Sequence, residues 1–247
     1  SSRSISTGDN STCALNVIGV AFCWGLGTSG QLGNGSTTSS SVPVRVSGNL
    51  RFTQISTGST FACGLTNRQA IYCWGDNSSG ALGNGANGPG VISAVPVSVS
   101  SSLIWKSLAV SGGSTFACAL STAGAAYCWG RNGFAGAAPT TSFYGQLGTG
   151  DTVSVFIPVP TQVTGNIVFQ SFSAGLTHIC GIATGGATYC WGSALPLTDW
   201  SIAGNGQFGN LIRPTALGGG LLFQPISAGG LFSGGLAFSG EAYCRQR

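Results

Sequence analysis

The chain has 247 residues, 42 of them glycine, and only 6% carry a charge, against about a quarter in ordinary soluble domains. At 43% hydrophobic it can bury a core, which excludes the low-hydrophobicity, high-charge signature of disorder. The net charge of +4 comes from scattered arginines and one lysine, Lys106, so no basic stripe points to nucleic acid, and no apolar run is long enough for a membrane span.

Five related units follow one another. In residues 1–50, a short β segment around Ile5 leads to "CALNVIGVAFCWG" from Cys13, then "GQLGNG" from Gly30, then "VPVRV". Residues 51–104 repeat this with "CGLTNRQAIYCWG" from Cys63, "GALGNG" from Gly80 and "VPVSV". Residues 105–166 carry "CALSTAGAAYCWG" from Cys118, an insert, "GQLGTG" from Gly145 and "IPVPTQV". Residues 167–220 carry "CGIATGGATYCWG" from Cys180, a second insert, "GQFGN" from Gly206 and "IRPTAL". Residues 221–247 hold a partial fifth unit, "GGLAFSGEAYCRQ" from Gly234.

The second cysteines fall at 23, 73, 128, 190 and 244, a period near 50 that indicates a modular array, often a propeller. Five residues before each first cysteine, or Gly234, stands a glycine: Gly8, Gly58, Gly113, Gly175 and Gly229. Eight before stands Ile5, Ile55, Val110, Phe172 or Ile226. Each unit reads as short β segments separated by glycine turns, with no helical periodicity.

These motifs resemble the regulator-of-chromosome-condensation repeat. Its strand ends in Ala/Ser-Gly-Gly, and a Leu-rich strand, a Gly turn, Trp-Gly, Gly-Gln-Leu-Gly and a Pro-Val strand follow. The resemblance covers essentially the whole chain. It implies an all-β fold, a β-propeller of four-stranded antiparallel blades, with about four full repeats and a partial fifth in one domain, 1–247. The paired cysteines depart from the intracellular members. They are similar to the ectodomain repeats of crinkly-type plant receptor kinases and secreted relatives. Because the fifth unit lacks its last turn and strand, residues 1–247 are expected to be an excerpt of a longer chain, or a ring completed by another.

The cysteine spacing has its own geometry. With Cys63 opposite Cys73 in a hairpin, Leu65 faces Ile71 and Thr66 faces Ala70 around a turn near Asn67, Arg68 and Gln69. Opposed residues in an antiparallel pair have Cα atoms about 4.5–5.5 Å apart, within the range of roughly 4.4–6.8 Å that a disulfide needs. Phe61, Leu65 and Ile71 share the cysteine face, while Ala62, Tyr72 and Trp74 lie on the other, so both faces are apolar, as for a strand sandwiched between blades. Zinc sites use closely spaced, convergent ligands, and redox sites favour Cys-x-x-Cys, which is absent. The expected pairs are Cys13–Cys23, Cys63–Cys73, Cys118–Cys128 and Cys180–Cys190, with Cys244 unpaired. Four bridges imply an oxidising compartment, hence an extracellular or cell-surface location. Asn10, Asn34 and Asn77 begin Asn-x-Ser/Thr triplets and are candidate glycosylation sites.

Catalysis has few residues to draw on. His178, the one histidine, is expected to pack or hydrogen-bond. Asp9, Asp76, Asp151, Asp199 and Glu241 fall at different phases of the repeat, so no carboxylate pair or triad is indicated. The glycine turns lack Gly-Lys-Ser/Thr and do not form a phosphate loop. No enzyme activity, cofactor or metal is expected. The two inserts occupy the same place in consecutive units and carry Phe134, Phe143, Tyr144, Leu195, Leu197 and Trp200, residue types that anchor interfaces. The function expected is that of an exported, non-enzymatic interaction, adhesion or extracellular assembly module, binding a protein, neighbouring subunits or glycans. The alternatives are a secreted inhibitor of an enzyme, or a guanine-nucleotide exchange factor like the family's nuclear founder. The latter needs a reducing compartment, against the cysteine pairs.

Overall fold

Short strands rich in β-branched and aromatic residues, broken by glycine turns, fold here into successive antiparallel sheets. The computed structural model describes residues 2–110, 112–134, 143–192, 210–218, 222–230 and 233–245. The first sheet holds β1 (Ser2–Thr7), β2 (Ser11–Asn16), β3 (Ala21–Gly25) and β4 (Ser40–Arg45) in chain order. The second holds β5 (Phe52–Thr57), β6 (Phe61–Thr66), β7 (Ile71–Asp76) and β8 (Ile92–Ser98).

In the third, β9 (Trp105–Ala109), β10 (Phe116–Ser121) and β11 (Ala126–Arg131) are completed by β14 (Phe156–Gln162). A two-stranded hairpin, β12 (Gly133–Phe134) with β13 (Phe143–Tyr144), interrupts the chain between them. The fourth holds β15 (Phe169–Ala174), β16 (His178–Ala183), β17 (Thr188–Gly192) and β18 (Leu211–Ala216). The fifth has β19 (Phe223–Ala228), β20 (Ser233–Ala237) and β21 (Ala242–Arg245). No α-helix occurs among the described residues. The fold is a β-propeller of four-stranded blades, four of them complete and the fifth three-stranded among the described residues. First strands of successive blades touch: β1 with β5, β5 with β9, β9 with β15, β15 with β19.

Burial follows this stacking. Strands β6, β10 and β16 are buried at every position, because a blade packs on each of their faces. Strand β2 alternates between buried and half-buried residues, since no described blade covers the other face of its sheet. The Pro-Val strands β4, β8 and β14 lie at sheet edges, where a missing N–H costs no ladder bond.

Two sequence motifs meet at every described junction between the first four blades. The Trp of one blade lies against the last glycine of the Gly-x-Leu-Gly turn of the blade before it: Trp74 on Gly33, Trp129 on Gly83, Trp191 on Gly148. A methyl group on Gly33 or Gly83 would stand 2.7 Å from the indole ring. The leucines of these turns, Leu32, Leu82 and Leu147, enter the same clusters as the indoles. Trp74 Nε1 donates to the Gln31 carbonyl at 3.0 Å and Trp129 Nε1 to that of Ala81 at 2.9 Å. Trp191 Nε1 is buried with no hydrogen-bond partner among the described residues. Just beyond each turn, Gly35, Gly85 and Gly150 donate N–H to Ala94, Pro158 and Ile212 on the next blade's fourth strand, at 2.8–2.9 Å.

One expected equivalence shifts. The residue facing the position after each first cysteine is Ile5, Ile55, Phe172 and Ile226 in four blades, but Leu108, not Val110, in the third. Two extra residues separate β9 from β10, and they let the loop reach blade one, where Gly112 lies beside the Thr7 carbonyl. Leu108 is accordingly in the core.

The indole contact makes a graded prediction. Gly83→Ala places a side chain at φ +66° against Trp129, whereas Gly90→Ala places one at φ +76° with no atom within 4 Å. Gly90→Ala should cost about 1 kcal/mol from the left-handed backbone, and Gly83→Ala about 2 kcal/mol more from overpacking. Urea denaturation of both variants measures the difference.

Candidate functional site

The cysteines stand opposite one another at the centre of each complete blade. Cys13↔Cys23, Cys63↔Cys73, Cys118↔Cys128 and Cys180↔Cys190 are direct Cα partners, 4.0–4.1 Å apart, with sulfurs joined at 2.02–2.11 Å. All eight are essentially inaccessible. The turn closing the second hairpin has Thr66 N–H on the Ala70 carbonyl at 2.9 Å and Gln69 at φ 61°. The Cys63–Cys73 face packs with Phe61, Leu65 and Ile71 on Trp105 and Leu108 of blade three. Ala62 and Trp74, on the other face, pack on Cys13, Leu15 and Cys23 of blade one. Cys244 stands opposite Gly234 in the fifth hairpin, and its side chain lies outside the described residues. Among the described residues no group of His, Cys, Asp or Glu is arranged to hold a metal ion.

The three glycosylation candidates sit in different surroundings. Asn10 is exposed in the β1–β2 loop. Asn34 is half-buried in a glycine turn, its Oδ1 accepting from Ser36 N–H at 3.1 Å. Asn77 is 1% exposed and its amide is fully used. Nδ2 donates to the Ala86 carbonyl (2.7 Å) and Asn84 Oδ1 (3.0 Å), while Oδ1 accepts from Leu82 N–H (2.9 Å). The expectation for Asn77 is therefore corrected: this amide pins the turn that holds Gly83, and the folded chain has no room for a glycan there. Asn132 does the same in blade three, donating to Asp151 and Ser154 carbonyls at 2.9 and 3.1 Å. The signal missed in the sequence is Trp-Gly-x-Asn, at 74–77 and again at 129–132.

His178 takes the place that Phe61 and Phe116 hold in the two preceding blades. It is buried, and its Nε2 lies 2.8 Å from Ser233 Oγ on blade five. Burial pushes its pKa from 6.5 down to about 4, so the ring is neutral at physiological pH. The carboxylates brace turns. Asp76 accepts from Ser78 Oγ at 2.6 Å. Burial would raise the pKa of Asp151, but the N–H groups of Ser154 and Val153 and the Ser154 hydroxyl outweigh it and hold the pKa below its ordinary value. Glu241 accepts from Tyr243 Oη at 3.0 Å. Asp199 lies outside the described residues. A groove of about 510 Å³ between blades four and five is lined by Gln170, Ser171, Phe223, Gln224 and neighbours, with no titratable side chain.

The first insert leaves blade three as the stem β12–β13, in which Phe134 faces Phe143 and Gly133 faces Tyr144 along the backbone. The side chains of Phe134, Phe143 and Tyr144, and the whole of Leu195, Leu197 and Trp200, lie outside the described residues.

These features define a repeat β-propeller whose central hairpins are closed by cystines. One model of the regulator of chromosome condensation (RCC1) repeat matches residues 19–65 and 70–120. A second model of the same repeat matches 3–31, 52–81 and 108–135, and together the two span more than half of the chain. The chain belongs to the RCC1 repeat family. It is 29% identical over 190 residues to the ultraviolet-B receptor UVR8 of Arabidopsis thaliana, covering 77% of this chain and 41% of that protein. Its fold matches human WBSCR16 with a TM-score of 0.76 at 18% identity, over 93% of this chain and 56% of that one. It matches Prp20p of Saccharomyces cerevisiae at 0.72 and 23%, over 93% and 54%. It matches the ectodomain of the Physcomitrella patens receptor kinase CR4 at 0.58 and 23%, over 98% and 50%. The chain thus spans about half the length of the relatives it matches.

Two measurements check this geometry. When the chain is made in a glycosylating secretory pathway, peptide mapping should find glycan at Asn10 and none at Asn77. For His178, the unfolded chain takes up a proton below pH 6.5 that the folded chain refuses until about pH 4. Stability tied to this residue is therefore complete above pH 6.5 and is lost progressively toward pH 4, by roughly 3 kcal/mol in all. His178→Phe should flatten that part of the acid limb in urea titrations at pH 7 and pH 4.5.

Proposed function

We propose that this chain is an exported, non-enzymatic interaction module that acts in adhesion, reception or extracellular assembly. The observation that carries this reading is the repeated central cystine, four times over, in hairpins buried between blades. Disulfides persist in oxidising compartments and are rare in the cytosol and nucleus. The likeness to a crinkly-type receptor ectodomain supports the same location. An interaction role agrees with the family: the yeast Prp20p structure was reported together with its binding to Gsp1p and histones. The non-enzymatic character is part of this proposal and draws on the spread of Asp9, Asp76, Asp151, Asp199 and Glu241 over different phases of the repeat.

The test is the state of the thiols in protein isolated from its native source. Alkylation without reduction, followed by mass spectrometry, should find Cys63 joined to Cys73 and the other three pairs likewise closed. Free thiols at Cys63 and Cys73 would overturn the exported reading. Replacing both by serine should cost on the order of 3 kcal/mol in the oxidised protein, by the loop-closure relation.

A further inference from the structure

The hairpin turns between second and third strands, together with the residues leading into the first strands, form a ladder along one rim. Three rungs tie a turn to the next blade: the Gly19 carbonyl accepts from Phe52 N–H (2.8 Å), Gln69 from Trp105 (3.0 Å) and Gly124 from Phe169 (2.8 Å). Three more run within a blade: Arg51 accepts from Asn67 (2.9 Å), Ile104 from Thr122 (2.9 Å) and Val168 from Thr184 (2.8 Å). The residues flanking these rungs therefore follow one another in a fixed order: Ile18, Arg51, Arg68, Ile104, Lys106, Val168. All six are exposed, Ile18 at 63% and Ile104 at 54%.

Charge is segregated across the same blades. Arg45, Arg51, Arg68 and Lys106 all belong to this rim, and none of them has an ion-pair partner among the described residues. The described carboxylates of blades one to three, Asp9, Asp76 and Asp151, lie on the opposite rim, in or beside the loops after first and third strands, where Arg131 at the end of β11 is the one described cation among them. In a chain that is only 6% charged, a stretch of rim that is of one sign across blades one to three is a local positive field; Glu241, in the corresponding turn of blade five, lies beyond it. Single exposed aliphatics need no explanation, but here they are interspersed with cations along backbone positions that hydrogen bonds hold in register.

We propose that this rim docks an acidic protein segment in which carboxylates are mixed with apolar side chains. The cations match its charge and the aliphatics give it surface to bury. A fluid layer of anionic headgroups would use the cations but has no register to match the ladder. The proposal rests on the interaction-module reading and adds the surface and the partner class.

The experiment uses the intact oxidised chain and a fluorescent peptide of roughly 20 residues repeating Glu-Leu-Asp-Ser, read by anisotropy. Saturable binding is expected, weakening steeply as salt rises. Arg51→Glu/Arg68→Glu/Lys106→Glu should weaken it about tenfold or more. Asp9→Arg, on the opposite rim, should not weaken it. Ile18→Ser/Ile104→Ser should weaken it several-fold with the salt dependence retained. Melting curves and non-reducing mass spectrometry confirm that each variant folds. No binding by the wild type, equal binding by the triple charge reversal, or binding to phosphatidylserine vesicles in preference to the peptide would overturn the proposal. A native partner that still binds the triple variant would reject this rim while leaving the interaction-module reading intact.

Discussion

Everything in this molecule depends on a side chain that a glycine does not have. The indoles of Trp74, Trp129 and Trp191 occupy the space where a Cβ on Gly33, Gly83 or Gly148 would stand. The flat ring then closes the junction between two blades with little empty volume, which is what dispersion needs. The leucine one residue earlier is carried into the same cluster, and the glycine two residues later bonds the next blade's fourth strand. One turn of backbone thus supplies shape, apolar area and hydrogen bonds to one junction. Cohesion passes from neighbour to neighbour, as in other repeat architectures.

The scarcity of charge follows from the same arrangement. Strands such as β6, β10 and β16 are covered on both faces and can hold no solvated group. Polar atoms inside must therefore find partners in the backbone, and asparagine supplies them. Asn77 and Asn132 use both ends of the amide to hold a turn that has few side chains of its own. Where blade three extends a loop by two residues, the change is absorbed locally and β10 keeps its pairing with β11. The same tolerance lets a hairpin stem sit between β11 and β14 without disturbing the sheet.

Much of the fold was legible because the repeat is local. Cys63 and Cys73, with Leu65 and Ile71 between them, set one hairpin register, and that register recurs in the other complete blades. Counting back a fixed number of residues gave Val110 where Leu108 stands, since an offset cannot register a loop insertion. Asn77 looked like a modification site because a triplet carries no information about burial. Its real partners, Ala86 and Asn84, lie a turn further on. The polarity of the two rims was hidden for a different reason. Arg45, Arg51, Arg68 and Lys106 are spread through three units, and only the rungs between blades align them.

The cystines also decide how the chain would carry a pull. Each joins strands that are adjacent in sequence, its two positions ten apart. Tension along the backbone would cross through the sulfurs and bypass the hairpin loop. About 35 Å of contour per bridge would be withheld from extension. Four such bridges would make the complete blades short in reach as well as hard to unravel, because stretching could peel away first and fourth strands but could not draw out the central pair.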